Sequence, residues 1–151
     1  MMKEHVVATT PRRNKFPISE IDSNCLIISS CFFLIPGYFA LTVGLYWFLA
    51  TSTITTVVSI NYWRHAVPGV RRSADMIVAK ASFIIYFITG IMRVKDITIL
   101  YAAWPVLIGI IICYFFSNNM WEKDSEYWIW FHMMFHMLVA VEQYLVLIGS
   151  F

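Results

Sequence analysis

Five apolar stretches follow one another along the chain, and short polar segments separate most of them. They cover approximately residues 25–42, 46–63, 75–93, 98–117 and 128–149. Each stretch is close to the roughly 20 residues that an α-helix needs to cross a bilayer. The pattern therefore predicts an all-α fold: a polytopic transmembrane helical bundle of about five spans over residues 25–151, preceded by a polar, cytoplasmic segment over residues 1–24.

The boundary between the first two stretches is the least marked. The run between Asn24 and Trp63 contains no Asp, Glu, Lys, Arg or His. A single helix of that length would be about 60 Å long, which is twice the hydrocarbon thickness. We therefore expect two helices that separate near Gly44, while Pro36-Gly37 marks a second place where the first helix can bend.

Composition supports a membrane protein. Of the 151 residues, 60% are hydrophobic and 13% are charged, and the mean hydropathy is +0.69. These values exclude a soluble enzyme, and the net charge of +2 is too small to indicate a nucleic-acid partner. The polar start of the chain argues against a cleaved signal peptide. Cys25, Cys31 and Cys113 lie in apolar stretches and imply no disulfide framework.

The basic residues are divided unequally between the two sides of the predicted bundle. Nine lie on the side of the N-terminus, and they are Lys3, Arg12, Arg13, Lys15, Arg64, Arg71, Arg72, Lys80 and Lys123. Arg93 and Lys95 lie on the other side. The positive-inside rule therefore predicts a cytoplasmic N-terminus and, after five crossings, a C-terminus on the opposite side. Which membrane the protein occupies is left open.

Ionisable residues inside a bilayer are costly and often mark a site. His65 closes the second predicted span and Asp75 opens the third, while His132 and His136 lie in the first two turns of the fifth. Because the second span ends where the third and fifth begin, all four residues are expected at the same membrane face.

His132 and His136 are four residues apart, which places both imidazoles on one helical face and lets them bind one ion. His65 is the candidate third ligand. Three neutral imidazoles with one open position are typical of a catalytic zinc site. Asp75 is then placed to orient a ligand histidine or to accept a proton from the zinc-bound water.

These residues resemble a known family. Residues 132–138 read His-Met-Met-Phe-His-Met-Leu, and Tyr144-Leu145 follows. This pattern is similar to the last-span signature of the CREST superfamily, which includes alkaline ceramidases, adiponectin-receptor-type proteins and hemolysin III-like proteins. His65 and Asp75 match the family's histidine at the end of its second span and its aspartate at the start of the third.

The resemblance implies a seven-helix bundle in which three histidines hold Zn²⁺ near one face, and hydrolysis of amide bonds in lipids such as ceramide. His65, His132 and His136 would bind the zinc ion and Asp75 would assist the water. The sequence departs from the family in two respects. Only five spans are predicted, and Asn61 stands four residues before His65, where the family usually has a serine; the nearest serine is Ser59.

Other polar residues complete the predicted site. Ser59, Asn61 and Gln143 are expected in its polar surroundings, and Arg64, Arg71 and Arg72 are candidates for binding lipid head groups, unless they act only as positive-inside determinants. The role of Glu142, the most deeply placed ionisable residue, is left open between a proton relay and a hydrogen-bonded carboxyl group.

The favoured function is a zinc-binding integral membrane protein that acts as a ceramidase-like lipid amide hydrolase, with membrane lipids as its partners. The main alternative is a non-catalytic small subunit of a larger membrane complex, and a homo-oligomer is also open. The histidines would then be interfacial residues beside Trp128 and Trp130. Haem ligation by His65 and one of the pair, and a transporter or channel, are lesser alternatives.

Overall fold

A computed structural model describes Phe16 and residues 18–151. Most of the predicted polar N-terminal segment, including Lys3, Arg12, Arg13 and Lys15, lies outside the described residues. The described part of the chain is helical and contains no β-strand. Its helices are α1 (Glu20–Thr42), α2 (Tyr46–Trp63), α3 (Val70–Arg93), α4 (Ile97–Glu122) and α5 (Trp128–Ser150). The predicted all-α bundle is therefore confirmed.

Two helices are longer than their apolar stretches. Helix α3 begins at Val70 rather than at residue 75, and α4 continues to Glu122 rather than ending at residue 117. Hydropathy marks only the part of a helix that can lie in the hydrocarbon core of a bilayer. Charged residues can continue the same helix beyond either end of that part. The helix ends therefore extend beyond the predicted spans.

Helix α1 is irregular in the middle. Cys31–Phe33 forms a single 3₁₀ turn, and α-helix resumes at Leu34. The ring of Pro36 conflicts with the carbonyl group four residues earlier in a regular α-helix, which explains why the irregular turn precedes it. The chain then turns at Gly44, whose φ of +75° is favourable for glycine, before α2 begins. The predicted separation into two helices is confirmed.

Four of the helices, α1, α3, α4 and α5, are long and apolar enough to cross a membrane. Helix α2 has 18 residues and does not belong to this group within the described chain. It packs against α1 and α3, and its buried positions include Ser52, Thr55, Thr56 and Ser59. The bundle thus has four helices that can cross a membrane, and the topology of five crossings remains a prediction.

Helix α5 holds the bundle together. It packs against α1, α3 and α4, whereas α4 packs only against α5 among the described helices. One buried cluster lies where α2 ends and α5 begins, and it contains Leu26, Tyr62, Trp63, Ala66 and Ile129. A second cluster towards the opposite end contains Ala40, Tyr86, Val146 and Leu147. The candidate site lies beside the first cluster.

Candidate functional site

A cavity of about 140 Å³ lies at the end of the bundle where α2 and α4 end and α3 and α5 begin. Its polar lining includes Arg72, Asp75, Ser117, Asn118 and His132. Successive helices run in opposite directions, which predicts Asp75 and His132 at one face. The structure brings these two residues to the same cavity.

His136 lies one helical turn after His132, is not among the described residues that line this cavity, and is only 4% exposed. Its Nδ1 atom lies 2.9 Å from Oγ of Ser29. The Ser29 hydroxyl also donates to the carbonyl oxygen of Leu26, at 3.0 Å. A hydroxyl group has one hydrogen, so Nδ1 of His136 must donate the hydrogen of the first bond. In the neutral ring, Nε2 then carries the lone pair that a ligand requires.

His132 is held in the same way by a different helix. Its Nδ1 atom lies 3.1 Å from Oγ of Ser117 on α4, and its ring centroid lies 4.8 Å from that of His136. Two imidazoles that bind one zinc ion at roughly 2.0–2.1 Å in tetrahedral geometry have ring centres about 5 Å apart. Neither Nε2 atom makes a hydrogen bond within the described residues. The two rings therefore lie close together, and each has its Nδ1 atom hydrogen-bonded to a serine of another helix.

His65 does not join this pair. It lies in the turn after α2, where it is exposed, and is not among the described residues that line the cavity. Across Phe16 and residues 18–151, no three His, Cys, Asp or Glu side chains are grouped so that they could hold a metal ion. The structure thus brings together His132 and His136, with Asp75 lining the cavity beside His132. The three-histidine ligand set remains a prediction.

The aromatic residue that faces the pair from α2 is Trp63. Its ring centroid lies 5.0 Å from that of His132 in an edge-to-face arrangement, and the residue is 6% exposed. Its indole Nε1 atom is buried and has no hydrogen-bond partner in the described part of the chain. Trp63 is not among the residues predicted from the sequence. No local sequence pattern marks it, because its burial depends on how α2 packs against α1 and α3.

The residues expected around the site are divided between two places. Ser59 is buried near it: its hydroxyl lies 3.0 Å from that of Ser30 and faces the carboxyl group of Asp75. Asn61, in contrast, accepts a hydrogen bond from Nη2 of Arg64 at the surface. Gln143 is buried between α5 and α3 and donates to Ser82 at 3.1 Å. Of these predicted residues, Ser59 lies closest to the cavity.

The three arginines expected to bind lipid head groups also differ in position. All three are exposed, but only Arg72 lines the cavity among the described residues. Arg64 pairs with Asn61. Arg72 is therefore the arginine whose guanidinium group is best placed to contact a ligand in the cavity.

Comparison of the chain with protein-family models, with curated proteins and with solved structures gives no match.

Proposed function

We propose that this protein is an integral membrane protein that binds one zinc ion through the Nε2 atoms of His132 and His136. The observation that carries the proposal is the matched anchoring of the two rings. Ser117 and Ser29 each hold an Nδ1 atom, as proteins commonly do to orient metal-binding imidazoles. Water molecules or ligand oxygen atoms would supply the remaining ligands of such an ion.

The chemistry proposed at this site is hydrolysis of a lipid amide, as the resemblance to the CREST superfamily implies. A bound zinc ion supplies a water molecule that ionises near neutral pH. The half-buried Asp75 carboxylate lines the cavity beside His132 and accepts a proton from a water molecule there. Arg72 presents a positive charge to an anionic lipid head group at the same cavity.

The site is proposed to lie at the cytoplasmic face of the membrane. Near the site end of the bundle are Arg64, Arg71, Arg72 and Lys123, whereas Arg93 is the last residue of α3 and Lys95 lies in the turn before α4, at the other end. This distribution follows the positive-inside rule. Membrane lipids are then the source of the substrate, and five crossings would place the C-terminus on the far side.

The first test is the metal content of the full chain purified in detergent without chelators. We expect about one zinc ion per chain in the wild-type protein, and loss of the ion in His132→Ala and in His136→Ala. His65→Ala is the matched control because this histidine is exposed and lies outside the cavity. It is expected to retain the metal.

The other outcomes have clear meanings. A metal-free wild-type protein would overturn the zinc proposal and favour the non-catalytic subunit. Loss of zinc in His65→Ala would restore the three-histidine set. The hydrolase proposal is tested separately with ceramide in detergent micelles. We expect Asp75→Asn to retain zinc and to lose release of the fatty acid, and equal release by wild type and variant would refute the role of Asp75.

A further inference from the structure

Helices α3 and α4 are joined by a short turn, yet within the described chain they do not pack against each other, and each packs against α5 instead. A cleft therefore remains between them, in the half of the bundle that holds this turn. It contains a cavity of about 60 Å³, and the side chains of Phe87, Ile91 and Trp104 at its walls are exposed. Because α3 and α4 are long and apolar enough to cross a membrane, the cleft opens towards the hydrocarbon of a surrounding bilayer.

Glu142 of α5 is the one acidic or basic side chain among the described residues that line this cleft. It also lines a smaller cavity of about 20 Å³ beside Tyr86 and Gln143. The Oε2 atom of Glu142 is buried and has no hydrogen-bond partner in the described part of the chain. Glu142 precedes the end of α5 at Ser150 by eight residues, which is about 12 Å along the helix axis. A polar atom buried at this depth without a partner is costly.

The groups around Glu142 carry no charge that would balance a carboxylate. In the two cavities α3 contributes Tyr86 and α5 contributes Gln143, whereas the described lining residues of α4 are apolar or aromatic. The Tyr86 hydroxyl bonds to that of Ser52 at 3.0 Å, and the side-chain nitrogen of Gln143 donates to Ser82 at 3.1 Å. An ionised side chain within a bilayer is costly when no opposite charge lies nearby. These surroundings favour the neutral acid, which has an O–H group to donate.

We propose that Glu142 is protonated and donates a hydrogen bond to an uncharged, lipid-soluble molecule that enters the cleft between α3 and α4. The cavity admits a single hydrocarbon chain but not a further helix, whose diameter is about 10 Å. The carboxyl group selects a chain that carries a hydrogen-bond acceptor, such as the carbonyl oxygen of an amide. This inference goes beyond the proposed function and does not depend on the histidine pair.

The protonated state is tested with dicyclohexylcarbodiimide, an uncharged, lipid-soluble reagent that adds to protonated carboxyl groups. The carboxyl oxygen bonds to the central carbon of the reagent, and the proton moves to one of its nitrogens. The acyl carbon then shifts from this oxygen to the second nitrogen, which leaves a stable acylurea from which nothing is lost. The full chain in lipid vesicles is treated at neutral pH. We expect mass spectrometry to find modified Glu142 and unmodified Glu126, which is exposed and ionised at this pH.

Ala103 and Ala102 offer a matched pair of positions for testing the path of entry. Ala103 lines the cavity, whereas its neighbour Ala102 is exposed and is not among the described lining residues. Ala103→Phe fills the cleft and is expected to slow the modification of Glu142 about tenfold, as an overpacked site would. Ala102→Phe is expected to leave the rate unchanged. Circular dichroism shows whether both variants keep the native helix content.

The nature of the ligand is tested by protection. Oleamide and octadecene have hydrocarbon chains of equal length, but only oleamide has a carbonyl oxygen. We expect oleamide in the vesicles to slow the modification of Glu142 and octadecene to leave its rate unchanged. Equal protection by the two compounds would overturn the assignment of the ligand.

Two other results would overturn the site itself. One is the absence of modification at Glu142 in the folded wild-type protein, and the other is an equal rate in Ala103→Phe and Ala102→Phe. All reactions are run with a chelator present. The outcome therefore does not depend on whether the protein binds zinc, and the inference about Glu142 and the proposed function stand or fall separately.

Discussion

Replacing Ser29 with alanine removes the hydroxyl group that orients His136. Ser29 is fully buried, at 0% exposure, and its Oγ atom is the partner of Nδ1 of His136 at 2.9 Å. The substitution leaves the imidazole N–H in a buried place with no acceptor. The ring also loses the hydrogen bond that fixes its orientation among its aromatic neighbours.

The expected size of the effect follows from these contacts. A buried donor left without an acceptor costs about 1–3 kcal/mol of unfolding free energy, which corresponds to a fall of about 2–12 °C in the unfolding midpoint of a chain of this length. Loss of a group that orients a metal ligand lowers metal affinity by about 10–100-fold. Ser29→Ala is therefore expected to show both effects.

Ser52→Ala is the matched control. Ser52 is also a serine at 0% exposure, and its hydroxyl bonds to that of Tyr86 at 3.0 Å, towards the other end of the bundle. We expect it to lose stability similarly and to keep its zinc affinity. The two quantities are measured by thermal unfolding in detergent and by chelator competition. Equal zinc affinities in the two variants would refute the orienting role of Ser29.

Three further predictions concern the bundle itself. Gly37→Ala is expected to lose about 1–3 kcal/mol of stability through overpacking, because the new Cβ would lie 3.0 Å from that of Ser52. An unchanged thermal midpoint would show that α1 and α2 can move apart without loss of stability. Asp96 caps α4, and its side chain accepts a hydrogen bond from the Thr98 amide at 2.8 Å. Asp96→Ala is expected to lower the free energy of unfolding by about 0.5–2 kcal/mol, whereas Asp96→Asn should retain most of that stability. Epitope tags at the two chain ends should become accessible from opposite sides of sealed vesicles if all five helices cross, and accessibility of both tags from one side would reduce the crossings to an even number.

The sequence was sufficient to predict the helices and part of the site. Apolar stretches of bilayer length predict the helices of the bundle. The four-residue spacing predicts that His132 and His136 lie on one face, because the geometry of a single helix fixes the relative position of such a pair. The alternating direction of the helices also brought Asp75 to the same end. These predictions depend only on local periodicity and on chain direction.

The residue that faces the pair from α2 was not predicted. Trp63 and His65 are two positions apart, and on a helix this separation corresponds to a rotation of about 200°. Which of them points inward depends on how α2 packs against α1 and α3, and the helix ends at Trp63, so His65 falls in the following turn. Ser29 was overlooked for a similar reason, since its partner His136 lies 107 positions away in the sequence.

The two imidazoles share an anchoring pattern that packing alone does not require. Polar groups within a bilayer must find partners inside the protein, and a neutral imidazole offers one donor and one acceptor. Here serines from two different helices, Ser29 on α1 and Ser117 on α4, each engage Nδ1. Within residues 18–151 both rings leave the same nitrogen, Nε2, without a hydrogen bond. The proposal of a shared ion rests on this matched anchoring, and metal analysis of the wild-type protein beside His132→Ala and His136→Ala decides between a shared ion and two separate structural histidines.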